Sequence, residues 1–475
     1  MILLNNPFIE SLIAIFAIGV FIIVAKVLYG IFHKLFSNDK DDEVKNKYLF
    51  PFIALTSLFF LWGFLTVLVD SLIPRIKELF TLNYFQAGLV QFAFFMAYFL
   101  LSIPSGFILS KIGYKKGIIL GLITMALGCF LFYPAAAYRV FSIFLLAYFI
   151  LAGGMTILQV AANPFVAVLG SKEGASSRLN LSQAFNSLGT AIAPAIGASF
   201  LLSDTVKTTE EINLLSEIEK ITYYINEASA VQTPFIFLSL SVVVLAALFA
   251  FVKLPALIQS ASNNGYVQLL KNKALMMGAF GILLYVGAEV SIGSYLVNYF
   301  IDMDMHTIIQ STPWMNNIAI NILNTDLASL DKRAIVGAFV TFYWSGAMIG
   351  RFIGSYLTKV YAPNKILSYF TICAILLLIT SMNTIGLISM WSILAVGLFN
   401  SIMFPTIFTL SIQDIQGLKP QASGILCTMI VGGAIIPPLY GFLTDLSGFK
   451  TAMLLLLACY GYIYYFAKST SKNLV

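Results

Sequence analysis

The sequence predicts an all-α polytopic membrane protein: two six-helix bundles plus one extra N-terminal transmembrane helix. Three observations predict it. Of 475 residues, 59% are hydrophobic and only 10% charged, whereas a soluble domain carries about 25% charged residues; mean hydropathy is +0.91. The apolar residues fall in runs of about 20 or more, the length that crosses a ~30 Å hydrocarbon core. The second half of the chain also repeats short motifs of the first.

The elements follow in order. The apolar run from Phe8 to Phe32 lacks a basic leading region and is too long for a secretory signal, so residues 1–36 read as the extra helix. A charged linker, 37–48, follows. The first bundle covers 49–254, with spans near 49–73, 85–110, 116–137, 141–168, 178–202 and 231–254. A linker over 255–273 leads to the second bundle, 274–467, with spans near 274–301, 334–358, 365–386, 388–411, 421–444 and 449–467; a tail, 468–475, ends the chain. With the 37–48 linker placed inside, 17 Lys and Arg fall inside and 8 outside. The positive-inside rule favours that orientation, with the N-terminus outside and the C-terminus cytoplasmic. Two outside loops, 203–230 and 302–333, read as surface cover; the first carries a short amphipathic surface helix through Ile212, Leu215, Ile218 and Ile221.

Composition also excludes function classes. Cys129, Cys373, Cys427 and Cys459 lie far apart in apolar runs, and His33 and His306 are the only histidines, so no metal centre is expected. No HExxH, GxSxG or P-loop pattern occurs, which argues against an enzyme. No cofactor, no nucleic acid and no metal is expected. The expected partners are the lipid bilayer, a small solute and a coupling cation, with the chain a monomer.

The internal repeat rests on three matches. Gly106-x-x-Leu109-x-Lys111 recurs as Gly354-x-x-Leu357-x-Lys359, and Gly189-Thr-Ala-Ile-Ala-Pro194 as Gly432-Gly-Ala-Ile-Ile-Pro437. Asn163-Pro164-Phe165 has a weaker partner in Phe404-Pro405-Thr406. An even number of spans per half makes the repeats parallel, with a solute site expected between them near mid-membrane. Small residues at Gly346, Gly350 and Gly354, and at Gly189, Ala193 and Gly197, make stripes that serve either static packing or sliding.

Ionisable residues inside spans are few, because each is costly in hydrocarbon. Asp70 follows the uncharged run Leu49–Val69, about 30 Å along its helix from Phe50 at 1.5 Å per residue, in the outer part of the bilayer. It is either an interfacial acid beside Arg75 or the lining of a vestibule. Glu289 lies 13 residues before Asp302, well inside its span. It is either a structural partner of Arg351 or a protonatable, cation-binding acid. Amides cluster at Gln91, Gln159, Asn163, Gln183, Asn186, Asn298 and Asn400; Gln159 and Asn163 share one helix face, as do Gln183 and Asn186. Uncharged donors and acceptors of this kind suit a polyhydroxy ligand, and Trp62, Tyr285, Tyr343 and Trp344 are of the type that stacks on a pyranose ring.

The loop Gly106-Phe-Ile-Leu-Ser110-Lys111-Ile-Gly113-Tyr-Lys115-Lys116-Gly117 resembles the signature of the major facilitator superfamily, with Ser110 where an Asp is usual. The stretches FFLWGFLTVLVDSLIP, QAGLVQFAFFMAYFLLSIPSG, LQVAANPFV, RLNLSQAFNSLGT, GLFNSIMFPTIFTLSI and IVGGAIIPPLYGFLTD resemble the fucose–proton symporter family, nearest its glucose/galactose transporters, across 49–467. That resemblance implies the major facilitator fold and cation-driven monosaccharide uptake. It implies a coupling acid at Asp70 and a sugar contact at Asn186. The family's second acid falls on Gln159, which cannot titrate, so Glu289 is the candidate for the missing charge. The resulting expectation is a symporter with Asp70 and Glu289 in ion coupling. Gln91, Gln159, Asn163, Gln183, Asn186, Tyr285, Glu289, Trp344 and Asn400 would form the sugar site. Another small polar solute such as an amino sugar, or a non-transporting sugar sensor, stays open at this point.

Overall fold

The computed structural model describes residues 42–79, 84–201, 214–255 and 265–470. The extra helix expected over 1–36 lies outside them. Twelve rods match the twelve expected spans: α1 (Asp42–Leu79), α2 (Tyr84–Ile112), α3 (Tyr114–Tyr138), α4 (Phe141–Val168), α5 (Ala175–Leu201) and α6 (Glu217–Phe251). They continue with α7 (Lys273–Asp302), α8 (Val340–Val360), α9 (Pro363–Asn383), α10 (Gly386–Asn400 with Met403–Ile412), α11 (Lys419–Thr428, Met429–Val431 and Gly432–Ser447) and α12 (Phe449–Ser469). Eleven helices among the described residues are long and apolar enough to cross a membrane. The exception is α5, whose first half is rich in serine and amides. The chain is an integral membrane protein.

Boundaries depart from expectation where local chemistry decides them. α1 continues past Pro74 to Leu79 and begins at Asp42, inside the expected linker. α6 begins at Glu217, so much of the expected outer loop is helix. Ser216 and Glu219 form a reciprocal capping box there, which satisfies two amide donors that a helix start otherwise leaves open. The same bonds hold the Glu219 carboxyl below the usual carboxylate range. The 302–333 segment is also ordered, as short helices Met305–Ser311 and Pro313–Leu323. Trp314 in the second stacks on Trp391 of α10, ring centroids 6.1 Å apart. α2 turns into α3 through Gly113 alone, at φ +87°, a conformation that only glycine adopts freely.

The chain forms two compact units. One comprises Met1–Ala175, Phe185–Tyr266 and Ile415–Thr428; the other comprises Ser176–Ala184, Val267–Asp414 and Met429–Val475. These are not the two sequence halves residue for residue, because the starts of α5 and α11 are exchanged.

In the first unit α3 packs on α4 and α6, and α2 on α4 and the start of α11. Phe132 and Phe235 stack at 4.1 Å in its core. A Cβ on Gly424 would stand 2.7 Å from the Ser102 carbonyl, so α2 and α11 meet backbone to backbone. Tyr266 donates its hydroxyl to the Ile103 carbonyl at the same place. The signature loop works without its usual acid. Ser110 bonds back to the Phe107 carbonyl, 2.7 Å. The Lys111 ammonium sits 4.2 Å from the Phe107 ring centre. Lys115 donates to the Ala250 carbonyl at 2.6 Å, satisfying the negative end of α6.

In the second unit α8 and α9 pack on α10, and α7 on α10, α11 and α12. The glycine stripe of α8 is a packing surface. A Cβ on Gly350 would strike the Leu398 carbonyl, and one on Gly397 of α10 the Tyr343 carbonyl. The start of α5 is held by hydroxyls. Ser177 donates to the Ser355 carbonyl at 2.7 Å and Ser355 to the Ser177 carbonyl at 3.0 Å. Ser176 and Thr409 share a 2.6 Å bond, and the Asn180 amide donates to Thr406 at 3.2 Å.

Candidate functional site

The backbone of α1 is helical through Asp70, whose side chain lies outside the described part of the structure. The other candidates fall into two groups, one in each unit.

In the first unit, the Gln159 amide on α4 donates to the Tyr98 hydroxyl on α2 at 2.9 Å. Tyr98 is buried while Gln159 is half-buried, so one side of the amide faces open space. Asn163, one turn along on the same face, is fully buried. Gln91 is exposed, two turns from Tyr98 on one face of α2. Asn186 of α5 is half-buried and donates to the Phe59 carbonyl of α1 at 2.9 Å. That bond forms where Gly63 and Gly189 let the two backbones touch. Sequence reasoning did not single out Tyr98; only its spacing from Gln91 could have marked it.

In the second unit, Gln183 is buried in the exchanged start of α5. Tyr285 and Glu289 lie one turn apart on α7. Glu289 faces Arg351 of α8, with 3.8 Å between carboxylate oxygen and guanidinium nitrogen and both side chains largely covered (14% and 17% exposed). The Tyr343 hydroxyl reaches the Glu289 backbone carbonyl at 3.4 Å. The Asn400 amide donates to Tyr343 at 2.8 Å, and Tyr460 of α12 donates to the Asn400 oxygen at 2.8 Å. This polar chain runs through α7, α8, α10 and α12 with Asn400 fully enclosed. Trp344 points elsewhere: it is 48% exposed and packs over Gly293 of α7.

Of the aromatics of ring-stacking type, Trp62, Tyr285 and Tyr343 are buried and Trp344 stands open. Asn298 is exposed. Among the described residues no three metal-ligating side chains come together. The arrangement offers amides and one ion pair, which can bind hydroxyls and hold or release a proton, and it presents no nucleophile beside a base.

Comparison with known proteins agrees with this geometry. Residues 51–429 match the family model described as Major Facilitator Superfamily. The chain is 45% identical over 432 residues to a glucose/galactose transporter of Brucella abortus biovar 1 (strain 9-941), covering 90% of this chain and 96% of the relative. It is 34% identical over 446 residues to the L-fucose-proton symporter of Escherichia coli (strain K12), covering 92% and 96%. The crystal structure of FucP, a transporter of the same superfamily in the outward conformation, superposes with a TM-score of 0.79 at 33% identity, over 89% of this chain and 99% of that one. With the family model and a solved fold both matched along nearly the whole described length, this chain belongs to the Major Facilitator Superfamily.

Proposed function

We propose that the chain is a secondary active transporter that carries a monosaccharide of the glucose/galactose or fucose type across a bacterial inner membrane by alternating access, coupled to H⁺ or Na⁺. The likeness to a glucose/galactose transporter at 45% identity over 90% of the chain carries this reading. The site supports it: half-buried Gln159 and Asn186 and exposed Gln91 supply uncharged polar groups in the first unit, with Asn163 beside Gln159. Tyr285 and Glu289 supply the second unit's share, with Gln183 and Asn400 behind them, while Trp344 stands apart over Gly293. The sugar is carried by a monomer with its N-terminus outside and its C-terminus cytoplasmic.

Ion coupling is assigned to Asp70 and Glu289. Gln159 cannot exchange a proton, so a two-acid cycle needs its second acid elsewhere, and among the described residues Glu289 is the carboxylate enclosed within a span. The ion drives uptake only through its unequal affinity for the two states. Uptake of labelled sugars into liposomes, with pH and Na⁺ gradients imposed separately, tests the reading. Glu289→Gln is expected to abolish accumulation while sparing sugar exchange; unchanged accumulation would remove Glu289 from the coupling role.

A further inference from the structure

A proline in a helix withholds the N–H that the carbonyl four residues earlier would accept. Pro405 of α10 therefore leaves the Ser401 carbonyl without its helical donor, in the turn that divides α10 into its two parts. The Arg351 side chain supplies that bond: its Nε donates to the Ser401 carbonyl at 3.2 Å. The other end of the same guanidinium faces Glu289 at 3.8 Å, beyond hydrogen-bond reach. Glu289 Oε1 and the Tyr285 hydroxyl are buried without a bond of full hydrogen-bond geometry, although the two side chains lie within reach of each other. The cation is thus held back from its acid by a carbonyl that a proline has exposed.

We infer that Arg351 is a positioning residue that ties the ionisation of Glu289 to the proline break in α10. Ordinarily a buried carboxylate and guanidinium close into a short, hydrogen-bonded pair. Here the Ser401 carbonyl competes for the cation and keeps one carboxylate oxygen open to a proton or to a ligand hydroxyl. When that oxygen takes a proton, the attraction across the gap falls and the guanidinium's bond to Ser401 is favoured; when it is ionised, the guanidinium is pulled toward α7. The same motion moves the hinge of α10. The other ionisable groups toward Glu289 are Tyr285 on its own helix, Tyr343 on α8 and Tyr460 on α12, all phenols. α10 carries no ionisable residue, and Tyr440 and Asp445 of α11 engage Tyr295 and Tyr299 instead. Among the described residues, Arg351 is the one charged side chain set against the acid.

This inference rests on Glu289 being the coupling acid but is tested without transport. The full-length protein in liposomes is titrated by infrared difference spectroscopy. The carboxyl C=O band of Glu289 is assigned by its loss in Glu289→Gln. Pro405→Ala returns an N–H to the Ser401 carbonyl, frees Arg351 and lets it close on the acid, so the band's midpoint is expected about one pH unit lower than in the native chain. Arg351→Gln moves it at least about one unit higher. Arg351→Lys keeps the charge but not the two-ended reach, so its midpoint stays below that of Arg351→Gln. A Pro405→Ala midpoint equal to the native one overturns the inference, and so does a Glu289 band that does not titrate between about pH 4 and 9. If Arg351→Gln does not fold, Pro405→Ala alone decides. Sugar counterflow in the same liposomes reports on the transport reading independently.

Discussion

Replacing Asn400 by leucine separates a structural amide from a sugar-binding one. Asn400 is fully buried, as are Tyr343 and Tyr460, and its two polar ends are bonded to those phenols at 2.8 Å each. Leucine keeps the same branched skeleton, with methyls in place of the amide oxygen and nitrogen, and can make neither bond. The Tyr460 hydroxyl then loses its acceptor in a closed site, at a cost of about 1–3 kcal/mol. Tyr343 keeps its longer bond to the Glu289 carbonyl, so its loss is nearer ~0.5–1.5 kcal/mol. The sum, roughly 2–4 kcal/mol, lowers the folded-to-unfolded ratio about 30- to 700-fold. Tyr460→Phe alone strands the Asn400 oxygen at about 1–3 kcal/mol, yet added to Asn400→Leu it removes the stranded hydroxyl. The double variant is therefore expected to cost ~1–2 kcal/mol less than the two singles summed. Denaturant unfolding of the detergent-solubilised protein reads all three. Additive costs, or an Asn400→Leu variant of native stability with weakened sugar affinity, would refute the cross-link and put the amide in the sugar site.

Three further outcomes follow from the packing. Cysteines at Ser177 and Ser355, whose hydroxyl oxygens lie 3.4 Å apart, are expected to join on oxidation and stop sugar transport, with reductant restoring it; a cross-linked protein that still transports would show that this contact need not open. Gly397→Val drives a side chain into the Tyr343 carbonyl and should destabilise the second unit by about 1–3 kcal/mol in the same unfolding assay. Burial raises the Tyr266 hydroxyl from 10.0 to about 12. The docked state thus holds the neutral phenol, and docking is intact below about pH 10 and lost as pH rises toward 12. Protease cutting near residue 266 should increase over that window in the native chain, and Tyr266→Phe should abolish the pH dependence.

The helical course was legible because hydrocarbon permits little else. Long uncharged runs, the Gly113 turn and the repeated glycines mark where rods begin, bend and touch. Glu289 was legible by depth alone. The roles of its neighbours were not, because Tyr343, Asn400 and Tyr460 lie on three helices and only packing shows that they bond in series. The helix expected over 212–221 was placed apart from the span at 231, whereas one helix runs from Glu217 to Phe251; Ser216 followed by Glu219 is its start signal. The bond between Arg351 and Ser401 was half readable. Pro405 marks a carbonyl in want of a donor, and the sequence does not say which side chain will reach it.

The repeat gives these pieces a common form. Gln159 stands five residues before Pro164 in α4, and Asn400 five before Pro405 in α10. Each amide donates to a tyrosine two helices earlier, Tyr98 on α2 and Tyr343 on α8, at 2.9 and 2.8 Å. An amide–phenol bridge ahead of a proline is thus built twice from one plan. The copies differ in what surrounds them. Tyr460 closes over Asn400, while Gln159 stays half-buried with nothing comparable above it. At the offset that pairs Gly106 with Gly354, Arg351 pairs with Ile103, so only the second copy carries a cation beside its proline-exposed carbonyl. A polar group left open selects for hydrogen bonding to a ligand, and an enclosed charge pair selects for exchange of a proton or cation. On the proposed reading, that division would give Gln159 to sugar recognition and Glu289 with Arg351 to coupling, so that an amide at the α4 position need not leave the chain short of a titrating acid.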